Sequence, residues 1–154
     1  MAKRNIITDG DPILRKKCRP VTEFNERIHT LLDDMAETMY AADGVGLAAP
    51  QVAVLRKVVV IDVGDGLIEL INPEIVYESA ECIEDNEGCL SFPGQYGVVK
   101  RPKKVTVKYQ DRNGNWQEKT GEGLLARAFC HETDHLNGVC FVDLAEYMLE
   151  ADLD

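Results

Sequence analysis

The chain has 154 residues, 45% of them hydrophobic and 29% charged, with a formal net charge of −10. That length implies one domain, residues 1–154, with a core that hides roughly 70% of the unfolded surface, and the composition excludes collagen, coiled coil and wholesale disorder. The acidic balance argues against unspecific nucleic-acid binding, which needs cations to displace counterions.

Lys3 and Arg4 precede only Ile6 and Ile7, so no signal-peptide apolar region is expected. Residues 10–20 read as a short helical turn between breakers. From about Asn25 to Tyr40, the apolar positions Ile28, Leu31, Leu32, Met35 and Met39 form one stripe of an amphipathic helix. Thr22 or Asn25 would cap it, and Gly44 and Gly46 would end it. Lys57–Val63 and Leu67–Ile71 read as two strands around a Gly64-Asp65-Gly66 turn. The longest aliphatic run, Val58–Ile61, is far below the roughly 20 residues of a membrane helix. After Pro73, Glu74–Ser79 reads as another strand. Tyr96–Lys100 and Lys104–Gln110 are strand-like around Arg101-Pro102, and Asn113-Gly114 is a hairpin turn into Asn115–Thr120. Leu124–Leu136 is rich in helix formers and stops near Asn137-Gly138. A last weak helix is expected from Asp143 to Leu153. Together these elements predict an α+β fold, a largely antiparallel sheet packed on helices. Such a chain is expected in the cytoplasm, with no membrane partner.

The five cysteines, Cys18, Cys82, Cys89, Cys130 and Cys140, are odd in number and irregularly spaced, with no C-x-x-C pair. They are therefore neither a disulfide framework nor a zinc ribbon, and each starts as a buried thiol.

The strongest chemical signal is His131-Glu132-Thr133-Asp134-His135, an H-E-x-x-H motif inside the predicted second helix. Residues four apart fall on nearly one helix face, so both imidazoles reach a single metal ion. Glu132 turns about 100° away, too far to ligate but near enough to handle a proton of a water on the ion. A third ligand is needed. His29, on the amphipathic helix, reads best as a solvated histidine. The longer pattern with a third histidine fails because that position is Phe141. A downstream Glu146 or Glu150 would complete a His₂Glu site, and the cysteines are the other candidates. Cys89 stands out because Glu87-Gly88-Cys89-Leu90-Ser91-Phe92-Pro93-Gly94 reads as a shaped loop or strand end. Cys140 looks like core, Cys82 follows an acidic stretch, and Cys130 lies about 100° off the ligand face. Gly44-Val45-Gly46-Leu47-Ala48-Ala49-Pro50-Gln51 is a second glycine-rich segment. It lacks the Lys-Ser/Thr of a P-loop. It reads either as a helix stop and tight connection or as a place where a backbone approaches a ligand closely. In the second case Gln51 offers an amide donor to a developing oxyanion.

These three segments, in this order, resemble the motifs of the bacterial peptide deformylases: G-[IV]-G-L-A-A-x-Q, E-G-C-L-S and H-E-x-D-H. The resemblance extends to Asp11–Arg15 and Met35–Tyr40 and implies the same α+β fold with the H-E-x-x-H helix central. It implies that Cys89, His131 and His135 bind one divalent ion, ferrous iron, with zinc, nickel or cobalt as substitutes. Glu132 would be the general base and then acid. Gln51 and the Leu90 N–H would hold the oxyanion, and Gly44, Val45 and Gly46 would line the cleft. The substrate would be the N-formyl-methionine end of a nascent polypeptide, its side chain in an apolar slot near Val45, Leu90 and Ala128. Cys130 stands where the family often has Gln, which brings a second thiol toward the metal. Some relatives dock on the ribosome through a basic C-terminal helix, whereas here the C-terminus is acidic; the 100–127 region, with eight Lys/Arg against three acids, is the better candidate for transient ribosome contact. Two other readings compete. A small metallo-endopeptidase would use a downstream Glu instead of Cys89, and an inactive binding relative would have no reason to keep Gln51, Cys89, His131, Glu132 and His135 together.

Overall fold

The computed structural model describes residues 2–149. A 3₁₀ turn, Pro12–Arg15, is capped by the Asp11 side chain. Helix α1 (Glu26–Ala41) starts at Asn25, whose side chain accepts from the Ile28 N–H. Its last turn closes through the Gly44 N–H on Met39 O, with Asp43 left-handed. Strand β1 (Gly46–Ala48) leads into a second 3₁₀ turn, Ala49–Val52. Then come β2 (Val58–Ile61), β3 (Ile68–Glu78), β4 (Cys82–Cys89), β5 (Phe92–Pro102), β6 (Lys104–Gln110) and β7 (Trp116–Glu122). Helix α2 (Leu124–Leu136), the short α3 (Phe141–Leu144) and β8 (Tyr147–Leu149) follow.

All strand ladders are antiparallel, in a five-stranded sheet ordered β1-β2-β3-β6-β7 and a three-stranded sheet ordered β4-β5-β8. The α+β expectation holds, and the H-E-x-x-H helix is central: α2 touches strands of both sheets. The run Val58–Ile61 is apolar throughout because both faces of β2 are covered. Val58 and Val60 pack with Leu31, Leu32, Met35 and Met39 of α1. Val59 and Ile61 pack with Ala126, Phe129 and Cys130 of α2. A third apolar cluster joins Leu14, Phe92, Val99, Cys140 and Phe141 at the junction of the small sheet with the chain ends. There the Cys18 N–H bonds Leu136 O at 2.9 Å, and a Cβ at Gly138 would stand 2.4 Å from Arg15 O. Gly138 has φ +76°, so only glycine suits both the turn and the contact.

Two sequence expectations are corrected, at Pro73 and over 143–153, and two are filled in, around Cys89 and over Gly44–Gln51. Pro73 does not divide two strands: β3 runs through it, and the register shifts between Ile71 and Glu74, with Asn72 at φ +52°, accommodate the missing donor. The stretch before Cys89 is a full strand, paired with β5 from Cys82↔Pro102 to Gly88↔Tyr96. The Gly44–Gln51 connection contains the edge strand β1. The helix expected over 143–153 is replaced by α3 and by β8, whose Tyr147, Met148 and Leu149 pair with β5. Residues 150–153 of that expectation, and the acidic terminus with Glu150, lie outside the described residues.

Candidate active site

The β4–β5 hairpin turns at Leu90-Ser91, which presents Cys89 at its tip toward α2. His131 and His135 reach it from one face of α2. Cys89 Sγ lies 3.3 Å from His135 Nε2, and one ligand atom from each of Cys89, His131 and His135 lies within 4.8 Å of the other two. The three expected donors thus converge, and they form the one such group of His, Cys, Asp and Glu among the described residues. His29 is elsewhere, its Nε2 at 2.7 Å from Arg112 O. Glu146 is not in the donor group; it precedes β8, with its backbone N–H on Val98 O.

One thiolate with two imidazoles is a donor set for a borderline transition ion, not for calcium or magnesium. The hydrogen bonding fits that use. His131 Nδ1 is 2.6 Å from Glu87 Oε1, so the proton sits on Nδ1 and Nε2 is left for a metal. Burial, with His131 beside it, holds His135 well below the ordinary histidine range, which keeps it neutral. Burial acts the same way on His131, but Glu132, Cys89 and Glu87 outweigh it and draw the ring well above that range. A cation at this point is what the cluster of acceptors favours.

Glu87 opens the E-G-C-L-S segment, and the sequence alone assigns it no task. It is buried, and desolvation alone would raise its pKa. His131 and Arg101 more than reverse that, and hold it well below the usual carboxylate range. Arg101 donates to both of its oxygens at 2.7 and 3.0 Å, and Arg127 Nη1 donates to Oε2 at 2.7 Å. Arg101 also bonds Asp134 of α2 at 2.6 Å. A buried carboxylate with two guanidiniums and an imidazole is fully partnered, which is the condition for keeping such charges in a core. Arg101, Arg127 and Asp134 were not singled out either. Only Asp134, as the D of H-E-x-D-H, carried a signal. Phe141, which cannot ligate, stacks on the His131 ring with centroids 6.1 Å apart.

Glu132 projects into the space between α2 and β1. Its Oε2 is 4.0 Å from His131 Nε2, and its buried Oε1 has no protein partner. Burial raises its pKa to about 7. Gly46 makes room for it, because a Cβ there would stand 2.5 Å from Oε2. Gly44 makes room in the same way for the Leu90 side chain. The amide of Gln51 is oriented from both ends. Its Oε1 accepts the Ala48 N–H at 2.9 Å, so Nε2 faces the cluster, 3.4 Å from Cys89 Sγ and 3.0 Å from Ser91 Oγ.

A cleft of about 510 Å³ opens over this group. Gly44, Val45 and Gly46 line one wall, and Leu90, Leu124 and Ala128 give it apolar surface beside His131 and Glu132. Cys130 points the other way, into the core with Phe129 and Val105, and burial lifts its thiol to about 12. It is not part of the donor cluster. No helix among the described residues is long and apolar enough to cross a membrane.

The sequence model of the family described as polypeptide deformylase matches residues 3–149. A peptide deformylase of Caldanaerobacter subterraneus subsp. tengcongensis is 67% identical over 143 residues, 93% of this chain and 89% of that relative. One from Thermoanaerobacter pseudethanolicus is 63% identical over 150 residues, 97% of this chain and 94% of the relative. The crystal structure of the Thermotoga maritima peptide deformylase superposes with a TM-score of 0.92 at 46% identity, covering 94% of this chain and 99% of that one. The Synechococcus elongatus enzyme, solved in complex with actinonin, gives 0.91 at 43% identity, over 94% of this chain and 79% of that one.

Proposed function

The chain belongs to the polypeptide deformylase family of enzymes, and from that premise we propose that it hydrolyses the N-formyl group from the formyl-methionine end of newly made polypeptides, releasing formate, as a single catalytic domain. The observation that carries this reading is the convergence of Cys89, His131 and His135 beside Glu132 and Gln51 in one cleft. Nascent formylated chains are then its partner, met in the cytoplasm.

Cys89 Sγ, His131 Nε2 and His135 Nε2 would hold one divalent ion, ferrous iron in this proposal, with zinc, nickel or cobalt as substitutes. Such an ion supplies Lewis acidity, activating a water near neutral pH and polarising the formyl oxygen. Glu132 takes the proton of the attacking water, a task suited to a carboxylate whose pKa burial has raised to about 7. As the C–N bond breaks, the same carboxyl delivers that proton to the leaving amine, which is too basic to depart as an anion. The tetrahedral adduct carries an oxyanion. Gln51 Nε2, held by its own carbonyl on Ala48, and the Leu90 N–H donate to it, each donor being worth about 2.7–4 kcal/mol. Glu87 keeps His131 in one tautomer and one orientation. Val45, Leu90 and Ala128 offer the methionine side chain an apolar slot.

The test is formate release from formyl-Met-Ala-Ser by protein with a measured metal content, alongside acetyl-Met-Ala-Ser and an internal peptide bond. Formate from the first substrate alone is expected, because a formyl carbon bearing only hydrogen fits where a methyl would be crowded. Comparable turnover of the acetyl peptide, or endoproteolytic products, would overturn the assignment in favour of a broader amidase or a metallo-endopeptidase.

A further inference from the structure

Two adjoining grooves, of about 370 and 800 Å³, open at the N-terminal end of α1, away from the catalytic cleft. Both are lined by Arg19, Arg27 and Arg56. Arg19 and Arg56 are set side by side by a parallel bridge, with the Arg19 N–H on Leu55 O and the Lys57 N–H on Arg19 O. Arg27 joins them from the first turn of α1.

These three guanidiniums differ from every other in the chain. Arg4 is paired with Asp34, Arg15 with Asp143, Arg101 with Glu87 and Asp134, Arg112 with Glu69 and Asp33, and Arg127 with Glu87. Arg19, Arg27 and Arg56 have no carboxylate at ion-pair distance among the described residues, although Glu23 and Glu26 each line one of the grooves. The basic 100–127 segment looks richer in sequence, but its three arginines are all engaged by carboxylates. Arg56 Nη1 meets only the Leu55 carbonyl, at 3.5 Å, so the guanidinium charge that no carboxylate pairs is gathered on this face.

We propose that this arginine groove binds the phosphodiester backbone of single-stranded nucleic acid. A guanidinium presents a planar fork matched to phosphate oxygens. All three line both grooves, so the basic surface runs on from one groove into the other, the arrangement that a strand carrying phosphates at regular intervals can follow. Open grooves with basic walls suit a flexible strand, whose bases also stack on arginine planes. Because the protein as a whole is acidic, the attraction is local and strongly salt-dependent. The site leaves the catalytic cleft open. That cleft begins at Ala42, at the far end of α1, about 22 Å along the helix from Arg27 at 1.5 Å per residue.

The probe is a fluorescent oligouridylate of roughly 16 nucleotides, followed by anisotropy. With three phosphate contacts, affinity should fall about 20-fold between roughly 50 and 200 mM KCl. Combined Arg19→Glu, Arg27→Glu and Arg56→Glu should abolish saturable binding. Combined Lys100→Glu and Lys119→Glu, which remove unpaired cations elsewhere, should leave it within about twofold. Thermal melting checks the fold, and Arg27→Glu alone, on an exposed first turn, serves if the triple variant fails to fold. Binding that survives these arginine substitutions, absence of saturable binding at low salt, or equal competition by polyglutamate would overturn the proposal. Formate release is read on the same preparations without RNA and should be unchanged by the arginine substitutions. A parent protein that binds RNA but releases no formate would leave the groove assignment standing and the reaction assignment fallen.

Discussion

Gly46→Ala tests the proposed proton carrier without touching it. A Cβ at position 46 would stand 2.5 Å from Glu132 Oε2, 3.0 Å from Cδ and 3.1 Å from Cγ. Non-bonded heavy atoms settle at about 3.5–4.0 Å, so the carboxyl group must retreat by about 1 Å. Turning the tip alone does not relieve the clash, because Cγ is also too close. β1 cannot withdraw easily either. Gly46 pairs with Ile61, and the Asp62 N–H bonds Val45 O at 2.8 Å. A misplacement of about 1 Å at a reacting group costs about 10²-fold in rate. The variant should therefore lose about 10²-fold in kcat on formyl-Met-Ala-Ser, read by a coupled formate assay. It should also keep one ion per chain, since the three atoms nearest the new methyl all belong to Glu132. Parental kcat in a folded variant would refute the placement of Glu132 at the reaction centre, and loss of the metal would show that β1 supports the donor cluster rather than the proton carrier.

Glu132→Ala should retain metal and lose roughly 10²–10⁴-fold in kcat, whereas His135→Ala should lose the metal itself; metal analysis and turnover on the same preparations separate the two, and an active Glu132→Ala enzyme would sink the mechanism. Gln51→Ala should keep metal and fall by roughly 10²–10³-fold through loss of one oxyanion donor. Brief iodoacetamide treatment at neutral pH, mapped by mass spectrometry, should modify exposed Cys82 first, because burial lifts the Cys18 and Cys140 thiols to about 11 and Cys130 to about 12; early modification of Cys130 would contradict its placement in the core. Asp34 is held below the usual carboxylate range by the Ala2 N–H and then by Arg4. A folded pKa lowered in this way gives stability that is present above the unfolded value of about 3.9 and lost as pH falls through the folded one. The Tm gap between the parent and Asp34→Asn should accordingly be full near neutrality and close below about pH 4, and a gap independent of pH would count against that ion pair.

Where local pattern and burial agree, the sequence is readable. The stripe Leu31, Leu32, Met35, Met39 is the buried face of α1, and α2 spans the residues its composition and the Asn137-Gly138 stop suggest. Strand β4 was hidden because Ile83-Glu84-Asp85-Asn86-Glu87 has almost none of the residues that favour strands; its conformation comes from the β5 partner, a tertiary fact. Pro73 misled because a proline reads as a strand end unless a bulge receives it. The convergence of the three candidate donors was legible, since it depends on spacing within a helix and on a strand end that carries Cys89. Glu87 was not, because its importance lies in what it meets: Arg101, Arg127 and His131 come from β5 and α2, and no local periodicity encodes that meeting.

The hydrogen bond from Cys18 to Leu136, and the fit of Gly138 against Arg15, also set a timetable. The segment from Arg15 to Cys18 is synthesised about 120 residues before its docking partner, which at 5–20 residues per second is roughly 6–24 s earlier. The two halves of the donor set are themselves separated by β5, β6 and β7, so Cys89 waits for α2 in the same way. If Cys89, His131 and His135 hold the ion as proposed, a chain that stops before His135 has no assembled centre, and added metal is not expected to rescue it. In the proposed function, capture of the ion waits for the synthesis of α2.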